Sequence, residues 1–352
     1  MQIDMHFYGV YAMARAAGLD PKTARTVAHA SQFVDDAIED EHVLVANNSA
    51  IVPTMTSHKP LDYRNALPGE QWKVWIPFHF LPGNDPKGKT FVERMVTLPD
   101  SEPAKRMLAH TLDEKNRAYW PHLIGVTAHV YADTFSHFGF VGFASEWNRV
   151  KDDIRIRNVQ KKSGMFKYIM GKFEEFKTRV LGTMAEVIPV GHGAVATLPD
   201  RPYLEWGFSY ETHAGKPAYK SRNNTDYFST ACRRLQTYFN KFATKAGGGS
   251  NVKPNKAWNV IEKPVRSLLE KKEPLDQRID AWRKAIAEGV FCKASEIDKR
   301  IRYEENRWYP KSSVRHERQV GQKIEDMDAC AYIRAAWRHR NYVLPECDLV
   351  EF

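Results

Sequence analysis

The stretch GVTAHVYADTFSHFGF, residues 125–140, places three polar side chains at intervals of four in an apolar segment: His129, Asp133 and His137. An α-helix turns once in about 3.6 residues, so these side chains are predicted to lie on one face of one helix. His122 stands seven residues before His129 and extends the same face. A solvent-exposed face would be surrounded by Lys, Glu or Gln, whereas the neighbours here are mainly apolar. The spacing therefore predicts a stripe that is buried or lines a cleft.

The residue types of this stripe indicate a metal site. Neutral imidazole and carboxylate are ligands that divalent ions such as zinc prefer, and two ligands one helical turn apart can bind one ion. The spacing occurs twice in succession, so Asp133 could bridge two ions with a histidine on either side. The alternative is a buried His–Asp–His stripe that hydrogen bonds hold together without a metal.

The composition is typical of a folded globular protein. The chain has 352 residues, 43% of them hydrophobic and 12% aromatic, which is enough to bury a large core. It contains no run of about 18 apolar residues, so no transmembrane segment is predicted. The N-terminus lacks a basic leader followed by an apolar core and a small-residue cleavage site. These features predict a cytoplasmic protein, unless a dedicated secretion system exports it.

The formal net charge of +9 favours an anionic partner, such as a phosphate-containing substrate, nucleic acid or an acidic membrane surface. The basic residues are dispersed along the chain, so an ordinary solvated surface is the alternative. The four cysteines have no C-x-x-C spacing, which is typical of reduced thiols rather than of disulfides or a cysteine zinc site.

The hydrophobic pattern predicts a mainly α protein with loop-rich insertions. Helices are expected over residues 5–17 and 20–38, and many prolines and turn residues in 45–90 and 187–224 predict loops. The run WKVWIPFHF within the first loop region has β propensity, and we expect a short hairpin there. Eleven of the thirteen histidines lie between His6 and His213, so histidine-based chemistry belongs to the first part of the chain.

The segment AGGGSNVKPNK divides the chain. Its glycines are typical of a flexible connector. We therefore expect a metal-binding, hydrolase-like helical domain over residues 1–245, a linker over 246–257, and a basic helical region over 258–352. The last region could bind a protein partner.

Two further candidate ligands lie near the N-terminus. His6 follows an aspartate in a D-x-H at the start of the first helix. Asp36 ends the Ala-rich helix AHASQFVDD, where a carboxylate opposes the helix dipole unless a positive group lies nearby. A metal ion would supply that charge, although an arginine or solvent could also do so.

Later loops supply more candidates. His79, in WIPFHFLPG, has apolar neighbours on both sides, which fits either a core histidine or a ligand. His192, in PVGHGA, is flanked by glycines that let the backbone approach a site closely. Asp200 and Arg201 follow in LPDRP as additional candidates, and the alternative for this segment is an ordinary turn.

A competing motif is GNDPKGKT, residues 83–90, which matches the phosphate-binding pattern G-x-x-x-x-G-K-[ST]. That loop presents successive backbone N–H groups to phosphate after a buried parallel strand, and Pro86 removes one of these donors. The preceding WIPFHFLP contains two prolines. We interpret the segment as a turn with basic residues.

The segment HLIGVTAHVYADTFSHFGF resembles the signature of the zinc-dependent phospholipase C family, an apolar-Gly-apolar lead-in followed by H-x-x-x-D-x-x-x-H. The early histidine and the Ala-rich helix that ends in aspartate are similar too. Members of that family, and the related zinc nucleases, are all-helical and bind a cluster of zinc ions. The resemblance covers roughly residues 1–200 and implies an uncharacterised bacterial branch of this superfamily, with a C-terminal helical extension of its own.

The resemblance implies two or three divalent ions, zinc in the family, and assigns catalytic roles to Asp36 and Asp133. Asp36 would be a ligand or the general base that orients the attacking water. The sequence departs from the family pattern in that Asp35-Asp36 replaces Pro-Asp and no mature N-terminal Trp supplies its amine. The implied metal ligands are His6, Asp36, His79, His129, Asp133, His137 and His192.

The predicted function is a metal-dependent phosphoester hydrolase, which cleaves a phosphodiester as phospholipase C does, by means of a metal-activated water. The first alternative is a nuclease or nucleotide phosphodiesterase that uses the same metal site, and the basic charge favours it. The second alternative is a non-catalytic helical scaffold with a structural metal ion. In that case the basic C-terminal region would carry the function.

Overall fold

The structure is a computed structural model that describes residues 1–38, 43–45, 49–59, 62–181, 190–211, 219–249, 252–308 and 327–347. The described chain is mainly helical, with two small antiparallel sheets, and it ends in a long helix. The predicted mainly α architecture is therefore confirmed. Within these residues no helix combines the length and the apolar character needed to cross a membrane.

The first two helices form an antiparallel pair at the N-terminus. A π-helical segment, Asp4–Gly9, continues into α1 (Val10–Ala17). Gly18 ends α1 with a φ of 107°, a left-handed conformation that glycine adopts without strain. The side chain of Asp20 then accepts hydrogen bonds from two backbone N–H groups of the next helix, α2 (Pro21–Asp36), and so caps it.

The remaining helices alternate with loops. Short helical segments lie between α2 and the later long helices. They are α3 (Pro68–Glu70), a π-helical turn Gln71–Trp75, α4 (Ile76–Phe78) and α5 (Phe91–Met95). The long helices are α6 (Glu102–Asp113), α7 (Trp120–Asp133), α8 (Gly164–Leu181), α9 (Asn224–Ala246), α10 (Trp258–Leu269), α11 (Leu275–Ala287) and α12 (Asp328–Glu346). Among the described residues, 3₁₀ turns cover Tyr63–Ala66, Glu146–Asn148, Gly193–Val195 and Ala294–Glu296.

The strands are short and antiparallel. β1 (Val43–Val45) pairs with β2 (Ser49–Ile51), and β3 (Arg155–Ile156), β4 (Glu205–Phe208) and β5 (Tyr219–Asn223) form a three-stranded sheet in that order. Both sheets within the described residues lack a parallel pair. The segment 83–90 therefore has no parallel strand before it, and it leads only into the five-residue helix α5. This arrangement does not support a phosphate-binding loop there.

The hairpin expected in WKVWIPFHF is wrong, because this segment forms the π-helical turn and α4 instead. Val74, Ile76 and Phe78 are fully buried in the helical conformation, and Trp72 stacks on Phe143. The β propensity of these residues reflects packing on a half-buried surface more than an intrinsic backbone preference, so tertiary packing overrides it here.

Helices α2 and α7 pack closely, and Gly125 makes this contact possible. A Cβ atom at Gly125 would lie against the carbonyl oxygen of Val27 and 2.6 Å from the Cβ of Ala30. Only glycine fits at such a helix–helix contact. The glycine of the apolar-Gly-apolar lead-in therefore brings the polar stripe of α7 beside the C-terminal end of α2.

The C-terminal helices pack on the N-terminal ones. One hydrophobic cluster contains Val10 of α1, Phe239 of α9, Val265 of α10 and Trp282 of α11. Residues of the predicted linker also contact α1, where Lys256 donates its backbone N–H to the carbonyl of Ala16. The division into residues 1–245, 246–257 and 258–352 stays a prediction, and residues 250–251, 309–326 and 348–352 lie outside the described residues.

Candidate metal centre

The polar stripe of α7 is buried. His129 and Asp133 are at most 1% exposed and His137 is 5% exposed. His137 lies just beyond the last residue of α7, but its backbone N–H still donates to the carbonyl of Asp133 at 2.8 Å, so the helical turn continues. His122 lies apart from this group, because it pairs with Asp328 at 3.0 Å. All four residues of the expected stripe are therefore buried, but only His129, Asp133 and His137 belong to one polar cluster.

Imidazole rings surround the carboxylate of Asp133. Its Oδ1 atom lies 3.1 Å from Nε2 of His6, and its Oδ2 atom lies 3.2 Å from Nε2 of His129 and 3.4 Å from Nδ1 of His79. The rings of His6 and His129 stack with their centroids 3.8 Å apart. The two carboxylate oxygens thus face two different groups of nitrogen atoms.

Two further carboxylates complete the cluster. Asp200 lies 3.2 Å from Nε2 of His137 and 3.8 Å from Nε2 of His192. Asp35 lies 3.8 Å from Nε2 of His129 and 3.9 Å from Nδ1 of His79. Among the described residues, the side chains form three groups that could hold a metal ion. Within each group the ligand atoms lie within 4.8 Å of one another. These groups are His6–His129–Asp133, Asp35–His79–His129 and His137–His192–Asp200.

Backbone carbonyls fix the orientation of four of these histidines. One ring nitrogen of each lies 2.8 Å from a carbonyl oxygen, which can only accept a hydrogen bond. In a neutral imidazole the other nitrogen then carries an unprotonated lone pair, and this pattern is typical of histidines that bind metals. The pairs are His79 Nε2 with Thr56, His129 Nδ1 with Ser31, His137 Nδ1 with His79, and His192 Nδ1 with Ala196.

The unprotonated nitrogens face other electron-rich atoms. Nε2 of His129 lies 3.3 Å from Nδ1 of His79, and both nitrogens also face Asp133. In each of these neutral rings the nitrogen that faces a carbonyl carries the proton. The other nitrogen of the same ring therefore has no proton to donate. Lone pairs and carboxylates at these distances repel one another unless a cation lies among them. The donor set therefore fits a divalent cation.

The protonation states agree with a ligand role. Burial lowers the pKa of His129 and of His192 to about 4, so both rings are neutral at pH 7. Burial also lowers the pKa of His6 well below its usual value. For Asp133 burial acts in the opposite direction, but electrostatic interactions with His137 and with the Met1 amino group outweigh it and hold the pKa well below the usual range. The centre thus combines neutral imidazoles with an ionised carboxylate.

The amino group of Met1 lies in the same cluster. It is 2.6 Å from Oδ1 of Asp133 and 3.3 Å from Oδ1 of Asp200. Burial lowers its pKa, but the charges of Asp133 and Asp200 outweigh burial and raise the pKa to about 11. The ammonium group supplies the positive charge that the two carboxylates need. The sequence did not suggest this contact between the amino group and the centre.

Of the two adjacent aspartates at the end of α2, Asp35 approaches the histidines. Its side chain is 32% exposed, and burial of the carboxyl raises its pKa well above the usual value, so a cation would favour its ionised form. Asp36 instead accepts hydrogen bonds from the Tyr303 hydroxyl at 2.6 Å and from Gln32 at 3.2 Å. The ligand role of Asp36 stays a prediction.

An open cleft of about 460 Å³ adjoins the centre. Met1, Asp35 and Asp200 line it, so the cluster is accessible from this side. Asp36 and Glu305 add two more carboxylates, and no lysine or arginine lines the cleft within the described chain. Apart from the Met1 ammonium group, which pairs with Asp133 and Asp200, the positive charge that would attract a phosphate has to come from bound metal ions or from groups behind the cleft wall.

Comparison with known proteins gives a family without an assigned activity. A family model described as "Family of unknown function (DUF6765)" matches residues 1–347. The match includes both the metal centre and the C-terminal helices. No curated protein and no solved structure matches the chain. Any statement about function therefore depends on the chemistry of the centre itself.

Proposed function

The chain belongs to this family of unknown function, and we propose that it is a metal-dependent phosphoester hydrolase. One observation carries the proposal: four histidines have their tautomers fixed by backbone carbonyls and direct their free nitrogens at Asp35, Asp133 and Asp200. Imidazole and carboxylate suit zinc. The H-x-x-x-D-x-x-x-H pattern shared with zinc-dependent phospholipase C favours the same metal and phosphodiester cleavage.

The centre has donors for two or three ions. Asp133 directs Oδ1 to His6 and Oδ2 to His79 and His129, which is the geometry of a bridging carboxylate. Asp35, Asp133 and Asp200 in the three groups, with Asp36 beside them, make four carboxylates. Two divalent ions would balance four negative charges. The Met1 ammonium group beside Asp133 and Asp200, or a third ion, would then leave a positive surplus for an anionic phosphate.

The bound ions would lower the pKa of a water molecule towards neutrality and neutralise phosphate oxygens. The protein residues then have separate tasks. The five histidines His6, His79, His129, His137 and His192 hold the ions together with Asp35, Asp133 and Asp200. Asp36 acts as the general base: it lies on the cleft, Tyr303 and Gln32 fix its carboxylate, and it accepts the proton of the attacking water. The water oxygen would form a bond to phosphorus as the ester bond to the leaving oxygen breaks, and the proton held by Asp36 would pass to the leaving oxygen.

The open cleft supports catalysis over a purely structural role. Structural metal sites are coordinatively closed, whereas catalytic sites keep an open position. Here a cleft of about 460 Å³ reaches Asp35 and Asp200, which belong to two different groups of candidate ligands. A substrate could therefore approach the ions from this side.

The proposed substrate is an anionic phosphodiester. Phospholipid is the first candidate because of the phospholipase C resemblance. Nucleic acid or a nucleotide is the second, and the formal net charge of +9 favours it. Leu275, Tyr303 and Glu305 bring the C-terminal region to the cleft, so this region contributes to the substrate site as well as offering a surface for a protein partner.

Substitution of Asp133 tests the proposal. Asp133→Asn removes one charge from the centre and is expected to reduce hydrolysis of bis-p-nitrophenyl phosphate by about a hundredfold or more, since even groups behind metal ligands affect activity by 10–100-fold. The matched control is Asp113→Asn on the surface, where the side chain is 72% exposed, and it should retain full turnover. Undiminished turnover in a folded Asp133→Asn variant would refute the mechanism. A panel of phospholipid, single-stranded nucleic acid and nucleotide then identifies the substrate.

A further inference from the structure

One buried arginine beside the cleft has no acidic partner. Arg201 is 3% exposed, and its guanidinium donates to Oγ1 of Thr197 at 3.1 Å and to the hydroxyl of Tyr203 at 3.3 Å. No ion pair joins it to a carboxylate in the part of the chain that the structure describes, and its Nε atom, like those of Arg15 and Arg278, has no hydrogen-bond partner there. A buried charge without a counter-charge is energetically costly, so this arrangement needs an explanation.

Two other arginines of similar burial show the usual arrangement. Arg15 pairs with Glu296 at 2.9 Å, and Arg278 pairs with Asp4 at 2.5 Å. Both arginines are at most 2% exposed. Arg201 differs from them because its partners are two neutral hydroxyl groups and the ring of Tyr168, whose centroid lies 5.3 Å from the guanidinium carbon.

Thr197 connects Arg201 to the cleft. The side chain of Thr197 lines the cleft together with Asp35 and Asp200. A hydroxyl group has one hydrogen to donate and two lone pairs that can accept. Oγ1 of Thr197 accepts from Arg201, while its own hydrogen has no acceptor among the described residues. A hydroxyl that accepts from a guanidinium is polarised and becomes a stronger donor.

We propose that Thr197 donates its hydroxyl hydrogen to a phosphate oxygen of the substrate, and that Arg201 is the positioning residue that polarises Thr197 and supplies the positive charge behind it. The proposal rests on the proposed function, because it assumes that a phosphate group binds in the cleft. Thr197 and Arg201 would together bind an anion in a cleft whose described lining contains carboxylates but no lysine or arginine. The alternative is that Arg201 only stabilises the turn over residues 197–200, in which the N–H of Asp200 donates to the carbonyl of Thr197.

Phosphate binding by threonine variants separates these alternatives. The probe is inorganic phosphate, titrated calorimetrically into the full chain after metal content has been measured. Thr197→Val removes the hydroxyl at nearly constant volume and is expected to weaken phosphate binding about tenfold, as for the loss of one charge-assisted hydrogen bond. Thr197→Ser keeps the hydroxyl and should bind phosphate within about twofold of the wild-type chain. Thr230→Val, an exposed surface change, is the matched control and should have no effect.

Arginine variants test the positioning role. Arg201→Met is expected to weaken phosphate binding about tenfold without loss of metal, and Arg201→Lys should recover part of that loss because it restores the charge. If Arg201→Met does not fold, the Thr197 variants still decide the question. Phosphate binding by metal-loaded Thr197→Val at the wild-type level would overturn the inference, as would a wild-type chain that binds no phosphate. Metal content and turnover of bis-p-nitrophenyl phosphate test the proposed function separately, since phosphate can bind at Thr197 even if that ester is not hydrolysed.

Discussion

The two sides of the metal centre differ in how firmly they are held. The inner side consists of His6, His129, Asp133 and His137, which are at most 5% exposed. The cleft side consists of Asp35, Asp36, Thr197 and Asp200, all of which line the open cleft. The inner side is fixed by α7, by the π-helical segment that carries His6 and by the carbonyl contacts of His129 and His137, whereas the cleft side consists of a helix end and a loop. In the proposed function the inner side would hold the ions, while the cleft side would also bind the substrate.

The largest effect is expected from separate substitutions of the adjacent residues Asp35 and Asp36. These variants test directly whether binding of ions and handling of substrate belong to different residues. Asp36→Asn is expected to lower turnover by about 10²–10⁴-fold, the range for removal of a general base, while the metal content stays unchanged. Asp35→Asn is expected to lower the metal content as well, because Asp35 belongs to one of the three groups of candidate ligands. Turnover and bound metal are measured on the same samples. Loss of metal in Asp36→Asn with full retention in Asp35→Asn would reverse the two assignments.

A smaller effect is expected from substitution of Arg278, which tests how the inner side is held in place. It donates to Asp4 and Gln2 in the segment that carries Met1 and His6, and both Arg278 and Asp4 are buried. Arg278→Met leaves a buried carboxylate unpaired and should reduce the free energy of unfolding by about 3–5 kcal/mol.

The matched control lies on the same helix. Arg283 is 43% exposed and pairs with Asp280 three residues before it, so Arg283→Met should change stability by less than about 1 kcal/mol. Denaturant unfolding measures both variants, and metal affinity measured alongside should fall only for Arg278→Met. Equal stabilities of the two variants would show that the C-terminal region does not support the inner side.

The sequence was sufficient for the parts of the centre that one helix carries. The i, i+4 spacing of His129, Asp133 and His137 fixes their common face, because helical geometry alone determines it. The apolar surroundings of the stripe correctly indicated its burial. The caps Asp20 and Gly18 likewise follow local rules, so the mainly α pattern and the first two helices could be read from the chain.

The parts that depend on packing could not be predicted in the same way. Asp35 and Asp36 are neighbours in sequence, and only the packing of α2 on α7 decides that Asp35 faces the histidines. The amino group of Met1 belongs to no side-chain motif. Its partner Asp133 lies 132 residues further along the chain. WKVWIPFHF became helical because burial overrides β propensity.

The C-terminal contribution to the cleft was also hidden from sequence analysis. Leu275, Tyr303 and Glu305 come from a region that the sequence suggests is a separate basic extension, yet they line the same cleft as Asp35. The sequence marks Asp200 and Arg201 as candidates without separating their roles, which depend on the groups that lie beside each of them. Residues that are far apart in sequence become neighbours through tertiary packing, and their spacing along the chain does not predict this.

Metal content is the most direct test of the central claim that these histidines and aspartates hold divalent ions. The full chain is purified without added metal, analysed for zinc, manganese and iron, and melted before and after treatment with a chelator. Two or three ions per chain and a lower melting temperature after chelation are predicted, with at least one ion fewer in His129→Gln, because His129 belongs to two of the three groups. Less than one ion per chain, together with an unchanged melting temperature after chelation, would contradict the account.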